Sequence, residues 1–407
     1  MLNKQLESYP VRIVNNNAST ERLNQDPLGR KLVWIMAITS GAAAANLYYN
    51  QPLLAVIAQS LQAPSHATGW IPIVSQIGYA LGIFLLVPLG DLMEKRRLIL
   101  TMLVLTSVAL AAAAVSLNLV WLLVASLAIG ITTITPQLIV PFAAQLAKPQ
   151  QRGRVVGTVM SGLLIGILLA RTVSGFVGAS FGWREMYWLA SGLMIVLAVV
   201  LSRMLPKSQP SLRVSYAELI GSLFKLIRQQ PILREASLAG AMSFGAFSAF
   251  WSTLVFFLAQ PPYHYGSEVT GLFGLVGVVG AAAAPVVGKI ADKRNPKLTV
   301  GLGLVITSLS FLIFWVFGYH VLGLIAGVIL LDLGVQTTMV SNQARIYSLP
   351  SEFHSRLNAL YITFYFIGGA LGSFLGAYGW SRWQWHGVCA MALIMLGVAF
   401  TTFIKRR

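Results

Sequence analysis

Pro88-Leu-Gly-Asp91-Leu-Met-Glu-Lys-Arg96-Arg97 and Gly288-Lys-Ile-Ala-Asp292-Lys-Arg294-Asn-Pro-Lys297 are the two stretches on which the fold turns. Each is a short charged segment between long apolar runs, and each sets an aspartate ahead of basic residues. Asp91 and Asp292 are 201 positions apart. Arg154 and Arg356, each opening a later apolar run, are 202 apart. Two independent marks at nearly one offset argue that the chain is an internal duplication.

The material around those segments is too apolar for a water-soluble protein. Of 407 residues, 56% are hydrophobic and only 10% charged, and the mean hydropathy is +0.73. A soluble chain carries about 25% charge, so this one cannot coat soluble domains with polar surface. A water-soluble enzyme and a disordered chain are both excluded on that ground. The single cysteine, Cys389, excludes an intrachain disulfide and a thiol-based zinc cluster. What remains is a polytopic membrane protein.

A span needs about 20 mostly apolar residues. Twelve such runs occur, at 32–57, 68–90, 98–117, 119–147, 155–179, 185–205, 232–258, 269–291, 298–317, 321–348, 357–379 and 385–403. Their lengths are helical and lack the alternation of a membrane barrel. The expected fold is therefore an all-α membrane protein of twelve transmembrane helices in two pseudo-symmetric six-helix bundles, 32–205 and 231–407. Residues 1–31 read as a cytosolic tail without an apolar signal core. Residues 206–230 read as a central cytosolic loop. Within that loop Ser215-Tyr-Ala-Glu218 is a capping box. Tyr216, Leu219, Ile220, Leu223 and Ile227 then recur on one helical face, as in a helix lying on a membrane surface, with Lys225 and Arg228 reaching headgroups.

The loops after spans 2, 4, 6, 8 and 10 carry Lys and Arg, whereas those after spans 1, 3, 7 and 9 carry none. By the positive-inside rule both termini are expected in the cytoplasm, in a bacterial inner membrane. The formal net charge of +17 then reflects topology and attraction to anionic lipid. Nucleic acid is not an expected partner, because no basic and aromatic module exists outside the loops. Trp70, Trp121, Trp183, Trp380, Trp383 and Trp385 fall at outer span ends, where an interfacial aromatic belt is expected.

The paired loops resemble the signature Gly-x-Leu-Ala-Asp-Arg-x-Gly-Arg-Arg/Lys of the major facilitator superfamily, and of its 12-span drug/proton antiporter-like group in particular. Gly288, Ile290, Ala291, Asp292, Lys293 and Lys297 follow it. The first copy keeps Leu89, Asp91, Lys95 and Arg96, with Val87 and Glu94 where the pattern has Gly. Asn46-Leu-Tyr-Tyr-Asn-Gln-Pro52 also looks like a bacterial branch of that family. Span 5 holds Gly166-Ile-Leu-Leu-Ala170-Arg171-Thr-Val-Ser174-Gly175, with Arg171 in place of the proline many antiporters of the family have there. The surviving frame of small residues is expected to bring span 5 close to a neighbour. The resemblance implies alternating access, a cavity lined by spans 1, 4, 7 and 10, and a latch in which Asp91 faces the start of span 11 with Arg96 in support. Asp292 and Arg294 are the second-copy counterparts.

Charges inside a span are costly and are functional candidates by default. Asp332 lies about twelve residues into span 10, roughly 18 Å from its outer end at 1.5 Å per residue. It has three candidate roles. It can carry a proton, since burial disfavours its charged form and an approaching cation favours it; it can contact substrate; or it can pair structurally. Arg171 is either a structural or gating charge or an anion ligand. Cavity candidates are Asn46, Tyr49, Asn50 and Gln51 in span 1; Thr132, Thr135 and Gln137 in span 4; Ser243, Phe247 and Trp251 in span 7; Gln336 and Asn342 in span 10; and Tyr361 and Tyr365 in span 11. Each alone can equally serve interhelical hydrogen bonding.

No enzyme constellation occurs. His66, His264, His320, His354 and His386 form no metal-ligand spacing, no nucleotide-binding loop is present, and no metal or cofactor is expected. The expected function is proton-coupled export (efflux by antiport) of small organic molecules by a monomer whose partners are substrate, protons and membrane lipid. The alternatives are import or facilitation of a sugar or similar metabolite, and a transporter-like sensor.

Overall fold

In a hydrocarbon layer each segment must satisfy its own backbone hydrogen bonds, which leaves helices as the solution for these apolar runs. The computed structural model describes residues 29–208, 215–291, 295–350 and 353–403, and among them there is no strand. The helices are α1 (Arg30–Ala45), α2 (Asn50–Ser60), α3 (Trp70–Leu86), α4 (Lys95–Ala114), α5 (Leu119–Thr132), α6 (Thr135–Leu146), α7 (Arg152–Ser180) and α8 (Trp183–Met204). After the central segment come α9 (Tyr216–Gln229), α10 (Pro231–Leu258), α11 (Ser267–Ala291), α12 (Pro296–Phe317), α13 (Val321–Tyr347) and α14 (His354–Phe400). Ten described segments are long and apolar enough to cross a membrane.

Two of the expected spans are broken. The first divides into α1 and α2 at Asn46–Tyr49, and the fourth into α5 and α6 at Thr133–Ile134. Pro136, in the first turn of α6, sits where its missing N–H costs nothing. Non-helical backbone at membrane depth is tolerated where protein buries it or it lines a cavity, and Asn46, Tyr49 and Thr133 are all buried.

The last two expected spans are two helices that abut at a sharp bend within α14. Trp383 and Gln384 of α14 leave helical geometry, Gln384 with φ 54° and ψ −141°. A Cβ placed on Gly379 would lie 2.6 Å from the carbonyl oxygen of Gly387. In an uninterrupted helix those residues would stand about 12 Å apart, so the chain doubles back between them.

Helices before the central segment pack chiefly on one another, and so do those after it. In the first group α7 lies against α1, where any side chain at Gly166 would collide with the backbone of Gly41. This is the close approach expected of the small residues in that run. Ser107 of α4 and Ser191 of α8 join hydroxyl to hydroxyl at 2.8 Å. In the second group α10 packs along α14, with Gly245 against Gly372.

The two groups meet through α7 with α11 and through α3 with α14. Thr172 Oγ1 donates to the carbonyl of Gly271 at 2.9 Å, and Ser267 Oγ to that of Gly175 at 3.2 Å. Buried Gln76 donates to Ser373 Oγ at 3.2 Å and accepts from Ser248 at 3.5 Å. These contacts lie toward the far face, opposite the face where α1 begins.

The capping box forms as expected: Ser215 Oγ accepts from the Glu218 amide at 3.2 Å, and Glu218 accepts from the Ser215 amide at 3.0 Å. The buried stripe of α9 is Leu219, Leu223 and Leu226, while Phe224, Lys225 and Arg228 are exposed. Ile220 and Ile227 lie at its margins, whereas Tyr216, expected on this face, is exposed and donates to the Leu85 carbonyl at 2.8 Å.

The tryptophan belt needs correction. Trp70, Trp121 and Trp383 are exposed, but Trp183, Trp380 and Trp385 are buried. Trp385 stacks on Phe257 at 4.0 Å and donates its indole N–H to the carbonyl of Phe314 at 3.0 Å. Where a ring finds both an aromatic partner and a hydrogen-bond acceptor, the interior competes with the interface.

Candidate functional site

Between the two helix groups lies a cavity of about 90 Å³. The first group contributes Leu47, Tyr48, Tyr79 and Gln137; the second contributes Phe244, Phe247, Asp332, Gln336, Tyr365 and Phe366. Its walls are mostly apolar with a few hydrogen-bonding groups, the usual make-up of a small-molecule site. The wall is ordered by ring packing. Phe244 stacks on Tyr365 at 4.0 Å, and Tyr79 meets Phe366 edge-on at 4.5 Å across the group boundary. Gln137 donates to the Tyr79 hydroxyl at 3.3 Å.

Among the described residues Asp332 is the one acid on this wall; it is 2% exposed, and its Oδ2 has no hydrogen-bond partner. Arg171 is 1% exposed, behind Tyr48 and Phe247. Its Nε donates to Gln51 Oε1 at 2.7 Å, and its guanidinium carbon lies 4.0 Å from the centre of the Trp251 ring. Both terminal guanidinium nitrogens lack a hydrogen-bond partner. Arg171 and Asp332 act on each other electrostatically without forming an ion pair. Burying a charge without full pairing costs several kcal/mol.

Helix α11 packs against both residues, meeting the base of Arg171 and the carboxylate of Asp332. A Cβ on Gly274 would lie 3.1 Å from Arg171 Cβ, and one on Gly277 would lie 2.8 Å from Asp332 Oδ2. Positions three apart share one helix face. Glycine at both lets the side chains from α7 and α13 sit against the α11 backbone.

Of the cavity candidates, Gln137, Phe247, Gln336 and Tyr365 line the space. Gln51 and Trp251 instead hold Arg171. Asn46 donates to Met194 Sδ at 3.5 Å, and Thr132 donates back to its own helix, to the Ala128 carbonyl at 2.9 Å. Tyr49, Asn50, Thr135, Ser243, Asn342 and Tyr361 are buried away from the cavity, Tyr361 against Gly240. Tyr48, Tyr79, Phe244 and Phe366 are wall residues the sequence did not single out. Tyr48 stood beside the chosen Tyr49, but the break in the helix decides which of the two faces inward.

At the near face, Asp91 is partly buried, and the charges acting on it are Lys95 and Arg356. Arg96 donates to the carbonyl of Ser202 at the end of α8, so its partner here is a helix terminus rather than Asp91. Arg356 donates to Ser222 of α9 at 3.1 Å. Asp292 and Arg294 lie outside the described residues. Sequence reading passed over Glu235, which pairs with Lys297 at 3.0 Å and Arg345 at 2.8 Å and so joins α10, α12 and α13 at the same face.

A family model described as Major Facilitator Superfamily matches residues 34–352. The chain is 42% identical to the putative uncharacterized transporter YgaY of Escherichia coli (strain K12) over 93% of its own length and 97% of that protein's. It is 31% identical to the probable transporter SCO4007 of Streptomyces coelicolor, covering 98% and 95% respectively. Among solved structures, the peptide transporter POT in complex with sulfate aligns with a TM-score of 0.72 at 15% identity, over 91% of this chain and 93% of that one. A bacterial homolog to the human lysosomal transporter Spinster, inward-facing and unoccupied, aligns at 0.66 and 13% identity, over 92% and 94%. At such identities the likeness concerns the fold.

Proposed function

The chain belongs to the Major Facilitator Superfamily and is a membrane transporter of that type; from that premise we propose that it is a proton-coupled exporter of small organic molecules, of the 12-span drug/proton antiporter-like group. Two six-helix bundles rock about the shared cavity. The count of twelve takes α1 with α2 and α5 with α6 as one span each, α11 as one, and the two legs of α14 as two. The near face is cytoplasmic, both termini lie there, and the membrane is the bacterial inner membrane. The protein works as a monomer in contact with lipid.

The observation that carries this reading is the buried Asp332 carboxylate, with one oxygen unpartnered, on a cavity wall drawn from both helix groups. A carboxyl group so placed exchanges a proton when its charged surroundings change. Export follows if the proton enters from the far face and substrate occupies the cavity from the near face. Asp91 acts as the near-face latch toward Arg356, and Asp292 with Arg294 forms its second-half counterpart. Arg96 secures α8 to the same loop.

The test is reconstitution into proteoliposomes. Wild-type protein should move protons against an imposed substrate gradient, and Asp332→Asn should abolish that coupled movement while eluting as the same monodisperse species. Coupled flux of wild-type rate in Asp332→Asn would rule Asp332 out as the proton site.

A further inference from the structure

We propose that the near-face wedge between α1 and α7 binds one anionic phospholipid, its phosphate held between Arg30 and Arg154. The site goes beyond the transport reading and does not depend on Asp332.

The packing of the two helices makes the wedge. On α7 the residues Arg154, Thr158, Gly162 and Gly166 are four apart, so they run in one row along a single face. On α1 the facing row is Arg30, Val33, Ala37 and Gly41. Deeper in, the rows touch at the backbone. A side chain at Gly162 would collide with the Ala37 carbonyl, and one at Gly166 with Gly41. About two turns nearer the surface, the rows carry large side chains in place of glycine, and the helices part around a cavity of about 460 Å³. Arg30, Val33, Trp34, Arg154, Val155 and Thr158 line it.

That lining divides as a phospholipid does. Two guanidinium groups supply charge, both on exposed residues, and no acid lines the cavity. Among the described residues neither arginine forms an ion pair. Val33 and Val155 supply apolar wall, and Trp34, 60% exposed, stands beside them, as indoles do at headgroup depth. The cavity also lies at the first turns of two segments of membrane-crossing length, Arg30–Ser60 and Pro149–Ser180. Basic pockets between spanning helices at this depth recognise anionic headgroups. A guanidinium meets phosphate oxygens with paired N–H donors, and two of them from different helices clasp one phosphodiester. A free inorganic anion would leave the valine and tryptophan surface bare. A zwitterionic lipid would bring its own cation against two arginines. An anionic phospholipid meets both parts of the lining. Arg154 thereby gains a partner of its own kind: its repeat counterpart Arg356 is buried against Ser222, whereas Arg154 is open at the membrane surface.

The experiment is native mass spectrometry of the full-length protein, delipidated in detergent and titrated with phosphatidylglycerol or phosphatidylcholine of identical acyl chains. Each arginine at a membrane surface contributes about five-fold in affinity, so the first phosphatidylglycerol should bind about 25-fold tighter than phosphatidylcholine. Arg30→Gln combined with Arg154→Gln should abolish that preference. Arg97→Gln combined with Arg203→Gln removes the same charge from other exposed positions on the near face and should preserve it. Thr158→Trp fills the cavity with every charge in place and should release the lipid. Equal binding of the two lipids by wild type overturns the inference, and that comparison needs no variant to fold. Equal loss in the two double variants overturns it as well, since a diffuse basic surface would then be enough. So does undiminished binding in Thr158→Trp. Displacement of the lipid by millimolar inorganic phosphate would make this a soluble-anion site and overturn the lipid assignment.

Discussion

Arg171 shows how a charge is kept inside this protein. Its hydrogen bond to Gln51 and its contact with Trp251 are short-range, and neither cancels the charge. Replacing Arg171 by Met should therefore have two opposed effects. It removes an incompletely paired charge, but it leaves Gln51 and Asp332 without their neighbour. Because leaving the buried Gln51 Oε1 without its donor costs about 1–3 kcal/mol, the variant should melt earlier, and a fluorescence melt checks this. A Tm equal to wild type would mean that Arg171 contributes nothing net to the fold. Gly166 is the steric counterpart. Gly166→Val has no room against Gly41, and overpacking of this kind costs about 1–3 kcal/mol. Lower Tm with an unchanged oligomeric state is the expected result.

At the scale of the element, the cap and the helix of α9 were legible, because a capping box is a local pattern, but its buried face was not: Leu226 is buried in the protein and Tyr216 is exposed. Ser215→Ala should cost about 1 kcal/mol of local stability and speed amide exchange over the first turn of α9, measured by hydrogen–deuterium exchange. Unchanged protection there would reject the cap as a stabilising contact. The broken helices were not legible. Hydropathy reads 32–57 and 119–147 as continuous, and Asn46 and Thr133 differ from neighbouring polar residues only in how the backbone is used. The consequence for the site is direct. Breaking α1 from α2 turns Tyr48 into the wall and leaves Tyr49 and Asn50 buried elsewhere. Composition therefore found five of the lining spans and only part of the right face, missing Tyr79 on α3 and Met160, Leu163, Leu164 and Ile167 on α7. Asp332 was legible for a different reason, since a lone acid in an apolar run stands out whatever face it occupies.

Across the whole molecule, the helices before and after the central segment form two groups that meet at one seam. The hydrogen bonds at Gln76, Thr172 and Ser267 close that seam on the far side of the cavity. The repeat marks themselves have diverged in use. Arg154 is exposed, whereas Arg356 is buried against α9. The two positions share a place near the start of a helix without sharing a partner, which is why the offset does not locate the site. The seam also makes a prediction. Gln76→Ala removes buried cross-group hydrogen bonds, so far-face closure should weaken and a far-face label at Gln260 should sample longer distances.

The most direct test of two groups rocking about the cavity is a pair of distances measured by pulsed electron resonance on spin-labelled protein. One pair, Gln62 with Gln260, reports the far face, and the other, Arg97 with Ser348, the near face. Lowering the pH should lengthen the first and shorten the second together, and Asp332→Asn should hold one arrangement at every pH. Distances that stay fixed, or that lengthen together at both faces, would contradict the account.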